Sequence, residues 1–453
     1  MPTSKRPNPS ILVVELKGKK PNLHAISDQI RELAGDTVGG GNALTKLSNG
    51  SYAVPRTLSK KLRVGHHANT AADIVEAISA VENARFEKAN EIKTEYENHI
   101  EPHRSTTPTN PNTAGIPSEQ WNLKKVRAEQ GWGLLGNDPS NLDYRNVAVG
   151  HIDTGVAPHP ALGFGADGTS PFVLVDEGQN YIDAGNSLPQ DPLGYKGQPG
   201  HGTRTMSVLA ARAPGEMMGV APGVTVVPYR ITNSVVIDEL GNDTLIERAI
   251  SHAVNDRNCQ VLSISLGDPC FPPSKVGLAV DDAYEQGTII VAAAGNITSE
   301  VTYPGRYSRT IAVGGISKND RPWSGGSQGR KVDLCAPADD VFRALVSRDG
   351  SGPFEFGYSA KDGDGTSYAT THVSGAAALW LAYHHDKLPS LYLDPWQRVE
   401  AFRSVLHSSA RKPNGWNTRL LGAGILDIEA LLKAELPAPD SLRKSQVAER
   451  ERH

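Results

Sequence analysis

The chain has 453 residues, with 46 Lys+Arg against 50 Asp+Glu and a formal net charge of −4. This near-balance excludes the basic footprint of a nucleic-acid binder and the charge excess of a disordered chain. Three cysteines with no CxxC pair exclude a disulfide framework or a zinc cage, while 45 Gly and 31 Pro, about 17% against a usual ~12%, predict many tight turns and close backbone approaches.

Met1 to Ser10 is polar, and the apolar stretch Ile11-Leu12-Val13-Val14 is too short for the core of a signal peptide. The run Ile289 to Ala294 falls far short of a membrane span. The expectation is a soluble cytoplasmic protein. Ile11 to Leu16 reads as a strand, Asn22 to Ala34 as a helix with Leu23, Ile26, Ile30 and Leu33 on one face, and Leu44 to Pro55 as a hairpin turned at Asn49-Gly50. From Thr70 to about Ile100, apolar Ile74, Ile78, Val81, Ala89, Ile92 and Tyr96 predict one long helix. Residues 1–104 are therefore expected to form a small α/β domain, and the Pro-, Thr- and Asn-rich segment 105–118 a linker.

Beyond the linker, strands and helices alternate across 119–436. Val147–Asp153, Val224–Ile231, Val261–Leu266, Thr288–Ala294 and Thr310–Ile316 read as strands. Arg204–Ala211, Thr244–Asn255, Lys275–Gln286, Ser367–His384 and Pro395–Ser408 read as helices. Strand runs such as Ile289 to Ala294 are apolar throughout rather than alternating, as for parallel strands buried on both faces. The predicted fold class is α/β, a doubly wound and mostly parallel sheet. Residues 437–453 read as a charged, solvated tail.

Two motifs fail on context. Gly163 to Gly168 matches G-x-G-x-x-G but leads into Pro171-Phe172-Val173 rather than a helix. Gly325 to Gly329 matches G-x-S-x-G but is followed by a strand-like stretch. No HExxH or EF-hand pattern occurs, so the expected cofactor and metal are none.

Three other segments converge. Val147 to Asp153 is a strand ending in an acid; Gly200-His201-Gly202 sets a histidine at the start of a helix; Gly365-Thr366-Ser367 sets a serine at the start of another. In a doubly wound sheet, strand C-termini and helix N-termini line one crevice, so Asp153, His201 and Ser367 are delivered to one place. Ala292-Ala293-Ala294-Gly295-Asn296 ends another strand with an amide side chain.

In the order Asp, His, Ser, with Asn296 between the last two, this set resembles the subtilases, the subtilisin-like serine proteases. The resemblance runs from Gln120-Trp121-Asn122-Leu123 to about Leu432. It implies a serine endopeptidase in which Ser367 is the nucleophile, His201 the general base and Asp153 its orienting partner, with Asn296 in the oxyanion hole. It further implies that Ser263, Ser265, Leu266 and Gly267 bind substrate backbone and line the first pocket, with Thr232 to Val236 facing them. Thr302 would lie at the pocket floor, and Asp268 sits just past the pocket strand. Residues 1–104 take the place of a propeptide that assists folding and restrains a zymogen. The expected partners are a protein or peptide substrate and the chain's own N-terminal domain, with neither nucleic acid nor membrane.

The chain departs from the family at several positions. Tyr368 beside the nucleophile is expected to narrow the cleft, Thr371 replaces the usual Pro, and Ala338 stands where the family has Gly. In His159-Pro160-Ala161-Leu162, Ala161 replaces a usual calcium-ligating Asp, leaving calcium without that ligand. Alternatives of another class are a non-catalytic peptide-binding regulator and a narrow-specificity processing protease switched on by a partner.

Overall fold

The computed structural model describes residues 117–448, except 118, 137, 196–197, 236–241, 268–273, 297–299 and 351, together with four short strands nearer the N-terminus. The chain divides into two compact units, one of residues 1–100 with 238–242 and 297–299, the other of the remainder.

In the first unit β1 (Leu12–Leu16), β2 (Thr45–Lys46), β3 (Tyr52–Val54) and β4 (Ala84–Lys88) form an antiparallel sheet in the order β2-β3-β1-β4. The expected hairpin is present in the pairing of Thr45 with Ala53 and Lys46 with Tyr52. The helix expected over 22–34 lies outside the described residues. The single long helix expected over 70–100 does not hold, because Ala84–Lys88 is a strand that pairs with β1 in the register Val14 to Phe86. Apolar and charged residues alternate at Ala84-Arg85-Phe86-Glu87, and pairing along the otherwise open edge of β1 outweighs the helical spacing on either side.

The second unit begins with helices α1 (Trp121–Lys125) and α2 (Ala128–Leu135), followed by β5 (Ala148–Asp153), β6 (Gln179–Asn180) and α3 (His201–Ala210). A two-stranded ladder of β7 (Arg212–Ala213) and β8 (Met217–Met218) precedes β9 (Thr225–Arg230), α4 (Asn242–Asn255), β10 (Val261–Ile264), α5 (Ser274–Glu285), β11 (Ile289–Ala293), β12 (Ile311–Ile316) and β13 (Leu334–Pro337). The hairpin β14 (Arg343–Arg348) and β15 (Phe354–Ser359) leads into α6 (Thr366–Tyr383). The short α7 (Leu388–Leu391), α8 (Pro395–Ser409), the short α9 (Thr418–Leu421) and α10 (Ile428–Lys433) complete the unit. The chain is thus a mixed α/β protein with a seven-stranded parallel sheet, in the order β13-β12-β11-β10-β5-β9-β6.

The order of winding reverses around β5. Strands β9 and β6 lie to one side of it and β10 to β13 to the other, so a crevice opens outside the carboxyl ends of β5 and β10. Helix α6 is buried along its whole length to Ala382. Its Ala, Gly, Ser and Thr residues keep it thin enough to lie in the main core with Val149, Val261, Val291 and Val313 of the sheet. Because α6 cannot shift without disturbing that core, the serine in its first turn is fixed relative to the strand ends.

The segment 437–448 is not a free tail. Leu442 and Ala448 are buried, the Ser445 N–H donates to Tyr284 Oη, Ser445 Oγ donates to Glu400, and the Ala448 N–H donates to Asp281. Its charges misled because Lys444 pairs with Glu285 at the surface while the apolar residues beside it turn inward.

Candidate active site

Asp153 is the last residue of β5 and is fully buried. His201 opens α3, and its Nδ1 lies 2.7 Å from Asp153 Oδ1. A carboxylate only accepts, so Nδ1 donates this hydrogen bond. Burial pushes the Asp153 carboxyl up, but the charge and hydrogen bond of His201, the nearby His151 and the Thr154 N–H more than reverse it, leaving the group below its ordinary value. It is an anion across the neutral range.

A clamp holds this pair. The Thr154 hydroxyl accepts from the Gly202 N–H (3.0 Å) and donates to Asp191 Oδ2 (2.9 Å), which also accepts from the Gly200 N–H (2.8 Å) and Tyr195 Oη (3.0 Å). The backbone on both sides of His201 is thus tied to the residue after Asp153. Gly202 is required for that approach, since a Cβ there would collide with the Gly155 carbonyl oxygen.

Ser367 is the second residue of α6, where helix N–H groups have no intrahelical acceptor. Its Oγ donates to the Ser265 carbonyl (3.2 Å), and Ser265 Oγ donates back to the Ser367 carbonyl (3.0 Å), so the start of α6 is pinned to the segment leaving β10. Asn296 lies across from it. Its Oδ1 accepts from both the N–H (2.9 Å) and the Oγ1 (2.7 Å) of Thr366, while the Thr366 hydroxyl accepts from the Gly295 N–H (3.1 Å). Two donors on one oxygen decide the amide orientation and turn Nδ2 the other way. A Cβ on Gly365 would lie 3.3 Å from that nitrogen.

The remaining residues named from sequence divide. Ser265 and Gly267 border this region. Thr302 is buried between Gly267 and Gly295: a side chain on Gly267 would collide with Thr302 Oγ1, and one on Gly295 would lie 2.7 Å from Thr302 Cγ2. Leu266 belongs to the core with Ile231 and Tyr303. Ser263 is fully buried within β10, its Oγ without a hydrogen-bond partner. Thr232 to Val235 is a turn rather than a facing strand, with the Gly267 N–H donating to the Val235 carbonyl (3.1 Å). Asp268 lies outside the described residues. Tyr368 does not narrow the cleft. It is buried with Ala161, Val208, Met217 and Ala344 below the hairpin, because the helix turns its side chain away from Ser367. Ala161 is buried and offers no carboxylate, and the described residues contain no group of three or more His, Cys, Asp or Glu side chains that could hold a metal ion.

Residues 144–424 match the family model of the subtilases. The chain belongs to the subtilase family. It is 30% identical to subtilisin BL of Lederbergia lenta over 317 residues, covering 69% of this chain and 98% of that one. It is 32% identical to subtilisin DY of Bacillus licheniformis over 293 residues, covering 63% and 90%. Among solved structures, a protease from Pseudoalteromonas arctica superposes with a TM-score of 0.57 at 23% identity, over 71% of this chain and 99% of that one. MycP1 of the ESX-1 type VII secretion system superposes with a TM-score of 0.53 at 22% identity, over 77% and 94%. The protein is a subtilisin-like serine endopeptidase, and its substrates are proteins or peptides.

Thr154, Asp191 and Thr205 were not singled out in the sequence. Thr205 alone carried a usable signal, as it stands four residues after His201 and so on the same helix face. Asp191 reaches the site from a long loop that has no periodicity to read.

Proposed function

We propose that this protease hydrolyses peptide bonds with Ser367 as nucleophile, His201 as general base and then acid, and Asp153 as the group that fixes the His201 tautomer and stabilises the imidazolium. The observation that carries the reading is the buried 2.7 Å contact of His201 Nδ1 with Asp153 at the carboxyl end of β5, His201 opening a helix that packs against α6, which carries Ser367. For attack, Ser367 Oγ leaves the Ser265 carbonyl by rotation about χ1, a step between staggered wells. The oxyanion is met by Asn296 Nδ2 and the Ser367 N–H, helped by the positive end of α6. A fluorophosphonate probe should label the wild type and leave Ser367→Ala unlabelled; a wild type that takes up no label after proteolytic or thermal activation would overturn the assignment.

Asn296→Ala is expected to lower kcat by about 10²–10³-fold with little change in KM, the loss known for subtilisin's own oxyanion asparagine. Steady-state kinetics on a peptide anilide check this, and a loss under fivefold would remove Asn296 from the oxyanion hole.

In this reading an extended substrate lies along Ser265 to Gly267 and is held through its main chain. Thr302, filling the space between Gly267 and Gly295, leaves room for a small residue before the scissile bond. Thr302→Gly is expected to raise kcat/KM for a Phe substrate over an Ala substrate by at least about tenfold, the usual worth of one or two methylenes of pocket space. An unchanged peptide-library profile would refute it.

The N-terminal unit is proposed to act as the restraint of a zymogen, with self-cleavage between 100 and 118. N-terminal sequencing after incubation checks this; a chain active at full length would end the proposal.

A further inference from the structure

Behind the proposed catalytic carboxylate lies a buried polar pair that the reaction, as described so far, does not use. His151 sits two residues before Asp153 on β5, on the same face of the sheet, and is 1% exposed. Its Nε2 is 3.0 Å from Thr205 Oγ1. Thr205, fully buried on α3 one turn after His201, has its hydroxyl within 3.4 Å of Asp153 Oδ2, 3.0 Å of the His201 carbonyl and 3.2 Å of the Gly202 carbonyl.

The two oxygens of Asp153 are served unequally. Oδ1 accepts from His201 Nδ1 and from the Thr154 N–H at 2.7 Å each. Among the described residues, the Thr205 hydroxyl is the one hydrogen-bond donor to Oδ2. That hydroxyl has a single proton, for which Asp153 Oδ2 competes with the His201 and Gly202 carbonyls and, if its Nε2 is bare, with His151. His151 Nδ1 is buried without a partner. A bare ring nitrogen in that position costs less than an orphaned N–H. Its register partner on β10 is Ser263, another buried hydroxyl without a partner on the same face. The unpartnered Nδ1 favours the tautomer protonated at Nε2, and the Ser263 hydroxyl, able to donate or accept, fits either. Burial pushes the imidazole down to about 4, against the pull of Asp153, so the ring is neutral at working pH. The titratable groups facing it are Asp153 on its own strand and His201 on α3.

We propose that His151 and Thr205 form a positioning relay for Asp153. His151 Nε2–H donates to Thr205 Oγ1, so the Thr205 proton is not spent on His151 and is shared between Asp153 Oδ2 and the His201 and Gly202 carbonyls. No proton is transferred. The relay fixes the rotation of the carboxylate and takes up part of its charge, which keeps Oδ1 aimed at His201 and moderates its attraction for the imidazolium. The inference rests on the reading of Asp153, His201 and Ser367 as the triad.

The test compares Thr205→Val, which keeps shape and removes the hydroxyl, with Thr205→Ser, His151→Val and the double Val variant, in steady-state kinetics from pH 5 to 9 on the full chain. Thr205→Val is expected to lower kcat about fivefold, the share of one long hydrogen bond to a charged group, with KM within twofold. The acid limb of kcat/KM is expected to move upward by about half a pH unit, because a carboxylate with one donor fewer holds the imidazolium more tightly. Thr205→Ser is expected to restore both values. The double variant is expected to match Thr205→Val alone, since the two residues act in series. Wild-type kinetics in Thr205→Val, or losses that multiply in the double variant, would overturn the relay. Should His151→Val fail to fold, the Val and Ser variants of Thr205 decide the matter by themselves. A wild type that neither labels with a fluorophosphonate nor cleaves would instead sink the triad reading.

Discussion

Asp153→Asn is expected to lower kcat by about 10⁴-fold while leaving KM within about threefold, the size of effect such a change has in a Ser-His-Asp triad. The exchange is nearly isosteric, so the strand end, the Thr154 clamp and the position of His201 have no steric reason to move. What changes is the charge and the set of donors. Asp153 Oδ1 takes two hydrogens, from His201 Nδ1 and from the Thr154 N–H. An amide that turns its NH₂ toward them meets two donors with a third and forces the imidazole into the tautomer that carries its proton on Nε2, where it cannot take one from Ser367. An amide that keeps its oxygen there preserves the tautomer but removes a full negative charge from a site with no solvent exposure. The imidazolium formed on attack is then uncompensated in a low-dielectric setting. Both orientations lose transition-state stabilisation and neither weakens ground-state binding, so the effect falls on kcat. Single-turnover acylation with an activated ester separates this from product release. Activity within tenfold of wild type would show that Asp153 is not the partner of the catalytic base.

The same residues show how far a sequence can be read. The strands β5, β9, β10, β11 and β12 were legible to within one or two residues because parallel strands buried on both faces read as largely apolar runs bounded by turn residues, with few polar positions to interrupt them. Gly200-His201-Gly202 and Gly365-Thr366-Ser367 were legible because helix starts carry local chemistry. Tyr368 was misplaced because proximity in sequence to Ser367 says nothing about direction on a helix, where adjacent side chains diverge by about 100°. The β4 strand was misread because its pairing partner, β1, lies some seventy residues away in the chain, beyond any local window. The clamp at Asp191 and the contact of His151 with Thr205 were illegible for a third reason, although the place of Thr205 on the His201 face of α3 could be read. Buried polar groups follow no period, and their meaning resides in hydrogen bonds between elements that only the fold brings together.

Buried histidines also set a limit on the acid side. His151, His159, His372 and His384 are pushed down to about 4, in each case chiefly by burial. Each is built into the structure as a neutral ring. His372 Nδ1 donates to the Tyr368 carbonyl while Nε2 accepts from Asn122 Nδ2, and His159 Nδ1 accepts from the Ala161 N–H. In the unfolded chain each titrates near 6.5. Between pH 6.5 and 4 the unfolded state therefore binds protons that the folded state refuses, so stability falls as pH falls, by about 1.4 kcal/mol per pH unit for each histidine. Four together give about 5.5 kcal/mol per unit near pH 5, comparable over the whole window to the total stability of a typical domain. The depressed carboxyls of Asp153, Asp320 and Asp333 add to the loss further down, while the raised carboxyls of Asp339 and Asp364 oppose it only in part. Urea midpoints are expected to fall steeply between pH 6.5 and 4.5 and to change little between 7 and 8. His159→Asn keeps an acceptor for the Ala161 N–H and removes one titrating ring of four, so it is expected to flatten that slope by about one quarter. A midpoint that stays level from pH 7 to 4.5, or a His159→Asn slope equal to wild type, would show that these rings take up their protons without unfolding the chain.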